Sequence, residues 1–290
     1  MFSGSIVALV TPFKNGKVDE KALSDLVSWH CTAGTQGVVA CGSTGEAALL
    51  THDERNCIIS IVIEGAGNRI PVIVGCGAPS THESISMAVD AKRLKADAIL
   101  VVAPYYVKPT QDGLYQHFKA IHDSVDLPLI LYNNPGRCAI DMSIDLVLRL
   151  AELPNVIALK DSTNDLSRPT LLRSRLTRKF SLLAGDDGIT PGYLAHGGNG
   201  CISVTANVAP SLCQQLIAAW QDVNIPEFTR LTQVLMPLHQ AMFIESNPTP
   251  VKYALSAMGK IQNEFKPPLL PVLPATGEKV SAVLKQMGLV

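Results

Sequence analysis

No C-x-x-C pair occurs anywhere in the chain, although it holds seven cysteines, at positions 31, 41, 57, 76, 138, 201 and 213. That absence removes the zinc clusters and thioredoxin-like redox sites that such pairs build. The odd count and wide spacings also argue against a disulfide framework. Cys41 and Cys57 lie in apolar runs, where cysteine behaves as a small hydrophobe, and seven free thiols fit a reducing compartment. The seven histidines include no H-E-x-x-H and no close pairing with a carboxylate at ligand spacing, so no metal site is expected. An excess of one charge is missing too. The 24 Lys and Arg balance 25 Asp and Glu, for a formal net charge of -1. Without a basic surplus, neither nucleic acid nor an acidic membrane surface is an expected partner. The first ten residues carry no basic segment, and the apolar stretch 6–10 is too short for a signal peptide or a membrane span. The expected compartment is the cytoplasm.

What is present is a rhythm. At 47% hydrophobic and 17% charged, the chain is too apolar and too evenly mixed for disorder. Eight short apolar runs, at 5–10, 37–41, 71–75, 98–102, 128–132, 155–159, 180–184 and 200–204, alternate with longer amphipathic stretches. The runs are mostly apolar without strict alternation, the mark of strands covered on both faces in a parallel sheet. Capping-box spacings open helices at Thr51-His-Asp-Glu54 and Ser80-Thr-His-Glu83, and 21–31 and 143–150 repeat apolar residues at helical spacing. Eight strand–helix units predict an α/β protein, a closed (β/α)8 TIM barrel over residues 1–224. An open doubly wound sheet is the structural competitor. Helical patterns at 210–222, 226–245, 249–258 and 277–287 follow. The last three make a C-terminal helical extension, residues 225–290, with the Pro-rich segment 267–274 as a linker inside it.

Barrel enzymes carry their chemistry at the C-terminal ends of the strands. Just beyond or at the end of the runs stand Cys41-Gly-Ser-Thr-Gly-Glu46, Ala103-Pro-Tyr-Tyr106, Tyr132-Asn-Asn-Pro-Gly-Arg137, Lys160 and Gly185-Asp-Asp187. Lys160 follows Val156-Ile-Ala-Leu159 without a break. Burying an ammonium at a core strand end is costly, and carbonyl attack needs the neutral amine. The plainer reading is a lysine that reaches solvent or pairs with Asp161. Tyr132 could shuttle protons at a nearby carbinolamine, or pack under a loop. Ser43 and Thr44 sit between glycines that let backbone N–H groups approach a small anion, or form an ordinary turn. Glu46 suits bracing of that loop. Arg137 follows a turn at the barrel mouth, where a guanidinium can take a carboxylate in a bidentate grip or form a surface ion pair. Gly75-Cys-Gly-Ala-Pro-Ser80 lacks the third glycine of a dinucleotide fingerprint, and Gly197-Gly-Asn-Gly200 reads as a tight turn. No cofactor is implied, because an amine nucleophile supplies its own electron sink as the iminium.

Gly42-Ser-Thr-Gly-Glu46, Tyr132-Asn133 with Pro135, and the strand-end Lys160 together resemble the pyruvate-dependent Schiff-base aldolase family, which includes N-acetylneuraminate lyase. Asn134-Pro-Gly-Arg137, Pro104-Tyr-Tyr106, Gly185-Asp-Asp187 and Ile202-Ser-Val-Thr-Ala-Asn207 resemble its 4-hydroxy-tetrahydrodipicolinate (dihydrodipicolinate) synthase branch from end to end. The resemblance implies condensation of pyruvate with L-aspartate 4-semialdehyde. Lys160 would form the imine. Tyr132 would be the central proton shuttle, completed by Ser43 and by Tyr106. In the family that second tyrosine reaches a neighbouring subunit, so a homotetramer built from dimers is implied. Thr44 would hold the pyruvate carboxylate, Arg137 the semialdehyde's carboxylate, and the backbones of Gly185 and Ile202 would line the pyruvate pocket.

Two departures stand out. Ser43 replaces the first of two threonines, keeping the hydroxyl but losing the methyl that restricts its rotamer. In the family's lysine feedback pocket, His52, Glu83 and Tyr105 match the sensitive pattern, but Arg55 stands for a histidine and Pro79 for an asparagine. Weak feedback inhibition is therefore expected. A sibling lyase acting on N-acetylneuraminate or a 2-keto-3-deoxy sugar acid would share Lys160, Tyr132 and the Ser43–Thr44 loop, but usually lacks a basic residue at 137. A keto-acid sensor without turnover would not need the full Lys160, Tyr132 and Tyr106 set.

Overall fold

The computed structural model describes residues 2–290. Its eight barrel strands are β1 Gly4–Ala8, β2 Gly37–Ala40, β3 Val72–Gly75, β4 Ala98–Val102, β5 Leu129–Asn133, β6 Val156–Asp161, β7 Ser181–Ala184 and β8 Gly200–Ser203. They close in sequence order, with β8 returning to β1, and pair in parallel. The twelve helices are α1 Glu20–Thr32, α2 His52–Ala66, α3 Thr81–Arg93, α4 Gln111–Ser124, α5 Pro135–Cys138, α6 Ile144–Ala151, α7 Ser167–Arg175, α8 Thr190–Ala195, α9 Pro210–Gln221, α10 Ile225–Ala241, α11 Thr249–Ala257 and α12 Pro274–Gln286. This is a (β/α)8 barrel followed by C-terminal helices, and the open-sheet alternative falls.

The strands are buried almost end to end, as continuous apolar runs require when both faces are covered. The ladder carries β6 two residues past its apolar run. Tyr132 pairs in register with Lys160, and Asn133 with Asp161. Lys160 therefore lies within the strand. Helix starts follow the caps. Thr51 and Glu54 form the full reciprocal box at α2, and Ser80 accepts from the Glu83 N–H at α3. Two helix ends differ from the sequence pattern. α10 stops at Ala241 rather than 245, and α12 opens at Pro274 rather than 277, because proline's missing N–H costs nothing in a first turn.

The chain divides into two compact units. One is Pro71–Ile202; the other joins Gly4–Ile70 to Ser203–Val290. In the first, Ile73, Ile99, Leu131, Leu114, Phe118 and Phe180 are fully buried. Each such side chain contributes about 1.5–3 kcal/mol relative to exposure. His117 is buried there too, its ring against the Thr81 hydroxyl at 2.9 Å, and burial lowers its pKa to about 4. In the second unit, Ile6, Phe13, Leu23, Ile58 and Ile59 form the core. His30 lies among them, 2.9 Å from the Thr35 hydroxyl, and burial aided by the Lys260 charge lowers its pKa to about 3. A short antiparallel hairpin, Phe13–Lys14 with Lys17–Val18, turns through Asn15 and Gly16, both at positive φ. That is the backbone a two-residue hairpin turn demands, and Asn-Gly supplies it.

Candidate active site

The candidate site residues fall into two groups of strand-end side chains, one in each unit. In the Pro71–Ile202 unit the centre is Lys160. Its side chain is 6% exposed. Among the described residues its ammonium has no ion pair or hydrogen bond, and its Nζ stands 4.2 Å from the centre of the Tyr132 ring. Asp161, the neighbour that could have neutralised it, points elsewhere, since successive strand residues face opposite sides. Its carboxylate accepts from Arg168 Nε at 2.8 Å and from the Thr163 N–H at 3.0 Å. Arg168 also donates to the Met142 carbonyl at 2.8 Å, and Asn133 donates to Asp141 at 2.6 Å and accepts from the Met142 N–H at 3.1 Å. A network buried at Asn133, Asp161 and Arg168 and reaching the surface at Asp141 thus fixes the ends of β5 and β6 from behind, leaving Lys160 on the other face.

Tyr132 is buried, and its Oη accepts from the Asn134 side-chain amide at 2.7 Å. Burial alone would push the phenol up. The Lys160 charge, the Asn134 amide, and the nearby Ser162 and Arg137 outweigh it, and the net shift is downward. Asn134 also caps α5, accepting from the Arg137 N–H at 3.2 Å. α5 is one turn long and holds Arg137 with its side chain exposed. Gly185 donates its N–H to the Asp161 carbonyl at 2.7 Å, and an added Cβ there would meet Ser162 Oγ at 2.0 Å. Only glycine permits that approach. Ile202 is fully buried in β8. Tyr106 is 91% exposed at φ 73°, held off its own chain in the left-handed region. Tyr105 and Glu83 are half-buried.

In the other unit, Ser43–Gly45 forms a 3-10 turn after β2. Thr44 is buried and its hydroxyl accepts from the Asn247 amide at 3.0 Å. Ser43 is partly exposed. Glu46, at φ 58°, is wholly buried and takes Lys252 Nζ at 2.5 Å and the Lys266 N–H at 2.9 Å. It braces the turn, and every bond on it is structural. Thr11 donates to the Gly45 carbonyl at 2.8 Å, and Asn207 ties the end of β1 to the segment after β8 through Val10, Ala8 and Val204. His52 is exposed at the start of α2, and Arg55, one turn on, is buried.

Sequence reasoning did not find Arg168, Asn247 or Lys252, and it quoted Asn134 only as part of a motif, with no role of its own. Only Asn134 carried a local signal, an N-cap residue type directly before Pro-Gly. The others join residues 7 to 206 positions apart, which no local spacing announces. No group of three or more His, Cys, Asp or Glu among the described residues could hold a metal ion, and no helix there is long and apolar enough to cross a membrane.

A closed (β/α)8 barrel with a lysine buried unpaired on a strand, beside a tyrosine whose phenol is held by an amide, has the layout of an aldolase-type lyase. The chain belongs to the dihydrodipicolinate synthetase family, whose model matches residues 1–287. It is 50% identical to the 4-hydroxy-tetrahydrodipicolinate synthase of Rhodospirillum centenum over 289 residues, covering 100% of this chain and 99% of the relative. It is 47% identical to the synthase of Thermodesulfovibrio yellowstonii, covering 100% of both. Among solved structures, the chloride-inhibited dihydrodipicolinate synthase of Acinetobacter baumannii, complexed with pyruvate, is similar at 45% identity and a TM-score of 0.97, with 100% of both chains covered.

Proposed function

We propose that this chain condenses pyruvate with L-aspartate 4-semialdehyde to 4-hydroxy-tetrahydrodipicolinate, the committed step of the diaminopimelate route to lysine. The observation that carries the reading is Lys160, 6% exposed, unpaired, and 4.2 Å over the Tyr132 ring. An ammonium buried to serve the fold is normally compensated by a carboxylate; this one is accompanied by a proton-transfer group. The naming of relatives at 45–50% identity as synthases favours this reading over the sibling sugar-acid lyase.

Lys160 Nζ adds to C2 of pyruvate, and the carbinolamine expels water as Tyr132 delivers a proton to its oxygen. Loss of a C3 proton gives the enamine. The enamine attacks the semialdehyde's aldehyde carbon, whose oxygen takes up a proton as the C–C bond forms. The substrate's own amine then displaces Lys160 at C2, closing the ring and freeing the enzyme. The iminium is the electron sink, so the route asks for no cofactor. Ser43 and Tyr106 extend the proton relay. Thr44 receives the pyruvate carboxylate, Arg137 the semialdehyde's, and the Gly185 and Ile202 backbones wall the pyruvate site. The exposure of Tyr106 supports a role in a neighbouring subunit's site, and with it a homotetramer built from dimers, working in the cytoplasm.

The test is borohydride reduction in the presence of pyruvate, read by intact mass and peptide mapping, beside turnover assays with L-aspartate semialdehyde and with N-acetylneuraminate. The expected result is a pyruvyl adduct on Lys160 and turnover with the semialdehyde only. An adduct with turnover of the sugar acid alone would overturn the substrate assignment; no adduct would overturn the mechanism.

A further inference from the structure

The Asn134 side chain is tied at both ends. Its carbonyl oxygen accepts from the Arg137 backbone N–H at 3.2 Å, and its amide nitrogen lies 2.7 Å from Tyr132 Oη. The first bond settles the second. A backbone N–H can only donate, so the oxygen must face it, and the NH2 must face the phenol. Tyr132 Oη is therefore an acceptor toward Asn134. A phenol has one proton, and with that direction occupied by a donor its own O–H is aimed away from Asn134. The ring carrying this hydroxyl is also the one over which Lys160 Nζ stands at 4.2 Å.

We propose that Asn134 is a positioning residue for proton transfer: its amide aims the Tyr132 hydroxyl proton at the reacting centre, while its carbonyl sets the turn that presents Arg137. This rests on the reading of Lys160 and Tyr132 given above. The same amide bond stabilises the phenolate, so it also sets where Tyr132 loses its proton.

The two ends can be cut separately. Ser caps a helix about as well as Asn but is too short to reach the phenol; Ala does neither. Asn134→Ser keeps the cap and loses the aim. The expected result is a kcat lower by roughly tenfold, a part of the 10²–10⁴-fold that acid–base catalysis supplies, with the KM for the semialdehyde within about twofold of wild type. The alkaline limb of kcat against pH moves upward, because the phenol has lost a donor that favoured its ionised form. Asn134→Ala shows the same two changes and a raised semialdehyde KM. Borohydride trapping of pyruvate on Lys160 persists in both. A Ser variant with wild-type kcat and an unmoved alkaline limb would overturn the proposal, and so would a loss confined to KM. Failure of the wild-type protein to trap pyruvate would instead sink the Schiff-base reading on which it stands.

Discussion

Two lysines are buried in this protein, and they are buried in opposite ways. Lys252, on α11, is fully enclosed, bonded to Glu46 at 2.5 Å and standing over the rings of Phe13 at 4.4 Å and Phe265 at 4.7 Å. Burial lowers its pKa, Glu46 works against that, and burial wins. Lys160 has a tyrosine ring and no carboxylate. The acid next to it in sequence is held instead by Arg168. Desolvation is common to both lysines. What separates the two is whether the missing water is replaced by an opposite charge, as at Lys252, or by a tyrosine ring, as at Lys160, the lysine proposed above as the nucleophile.

Replacement of each lysine by methionine pulls the two apart. Lys160→Met is expected to lower turnover by roughly ten-thousandfold or more and to abolish the borohydride adduct, since no other side chain supplies the nucleophile. Its melting temperature stays the same or rises, because a buried polar head without a carboxylate partner has been replaced by an apolar one. Calorimetry beside the turnover assay reads both, and a large thermal loss would make Lys160 structural after all. Lys252→Met leaves Glu46 buried without its partner and is expected to cost about 3–5 kcal/mol in urea unfolding. Adding Glu46→Gln removes the orphaned charge and recovers most of it. A double variant no more stable than the single one would mean the pair does not act as a pair.

How much of this contrast was legible in the sequence depends on the range of the interaction. Two-sided burial writes itself into continuous apolar runs, so the eight strands and the position of Lys160 at the end of one could be read directly. The loop bearing Ser43 and Thr44 was legible from its glycines. Lys252 was not: it sits in Val251-Lys-Tyr-Ala-Leu255, where a lone lysine in an apolar helix looks like a snorkelling surface residue. Its partner is 206 residues away. The Asn15-Gly16 hairpin turn was local and nevertheless passed over, because its strands are two residues each, too short for any alternation to show.

The buried histidines extend the comparison to groups that stay neutral. His30 and His117, with pKa values lowered to about 3 and about 4, take no proton in the folded chain at mildly acidic pH. The unfolded chain does, below its ordinary value near 6.5. Their contribution is thus complete above about pH 6.5 and declines as pH falls toward 4, at about 1.4 kcal/mol per pH unit for each. Urea midpoints from pH 7 to pH 4 check this, and His30→Gln should flatten the slope. The smallest effect expected is that of added lysine. With Arg55 and Pro79 in place of the usual histidine and asparagine, half-inhibition is expected only above about millimolar lysine. A titration with half-inhibition well below that would return this chain to the sensitive members of its family.

The carboxylate of Glu46 ends up holding atoms of residues 252 and 266, and Thr44 is held by residue 247. On the ribosome these partners are made only after the last barrel strand. The turn that carries Ser43 and Thr44 leaves the exit tunnel while the chain that will brace it is still untranslated, and a nascent barrel with all eight strands complete at Ser203 has none of the three bonds. The helices after the barrel thus act as a completion signal: the loop of Ser43 and Thr44 cannot gain its braces until the chain beyond the last strand has been read.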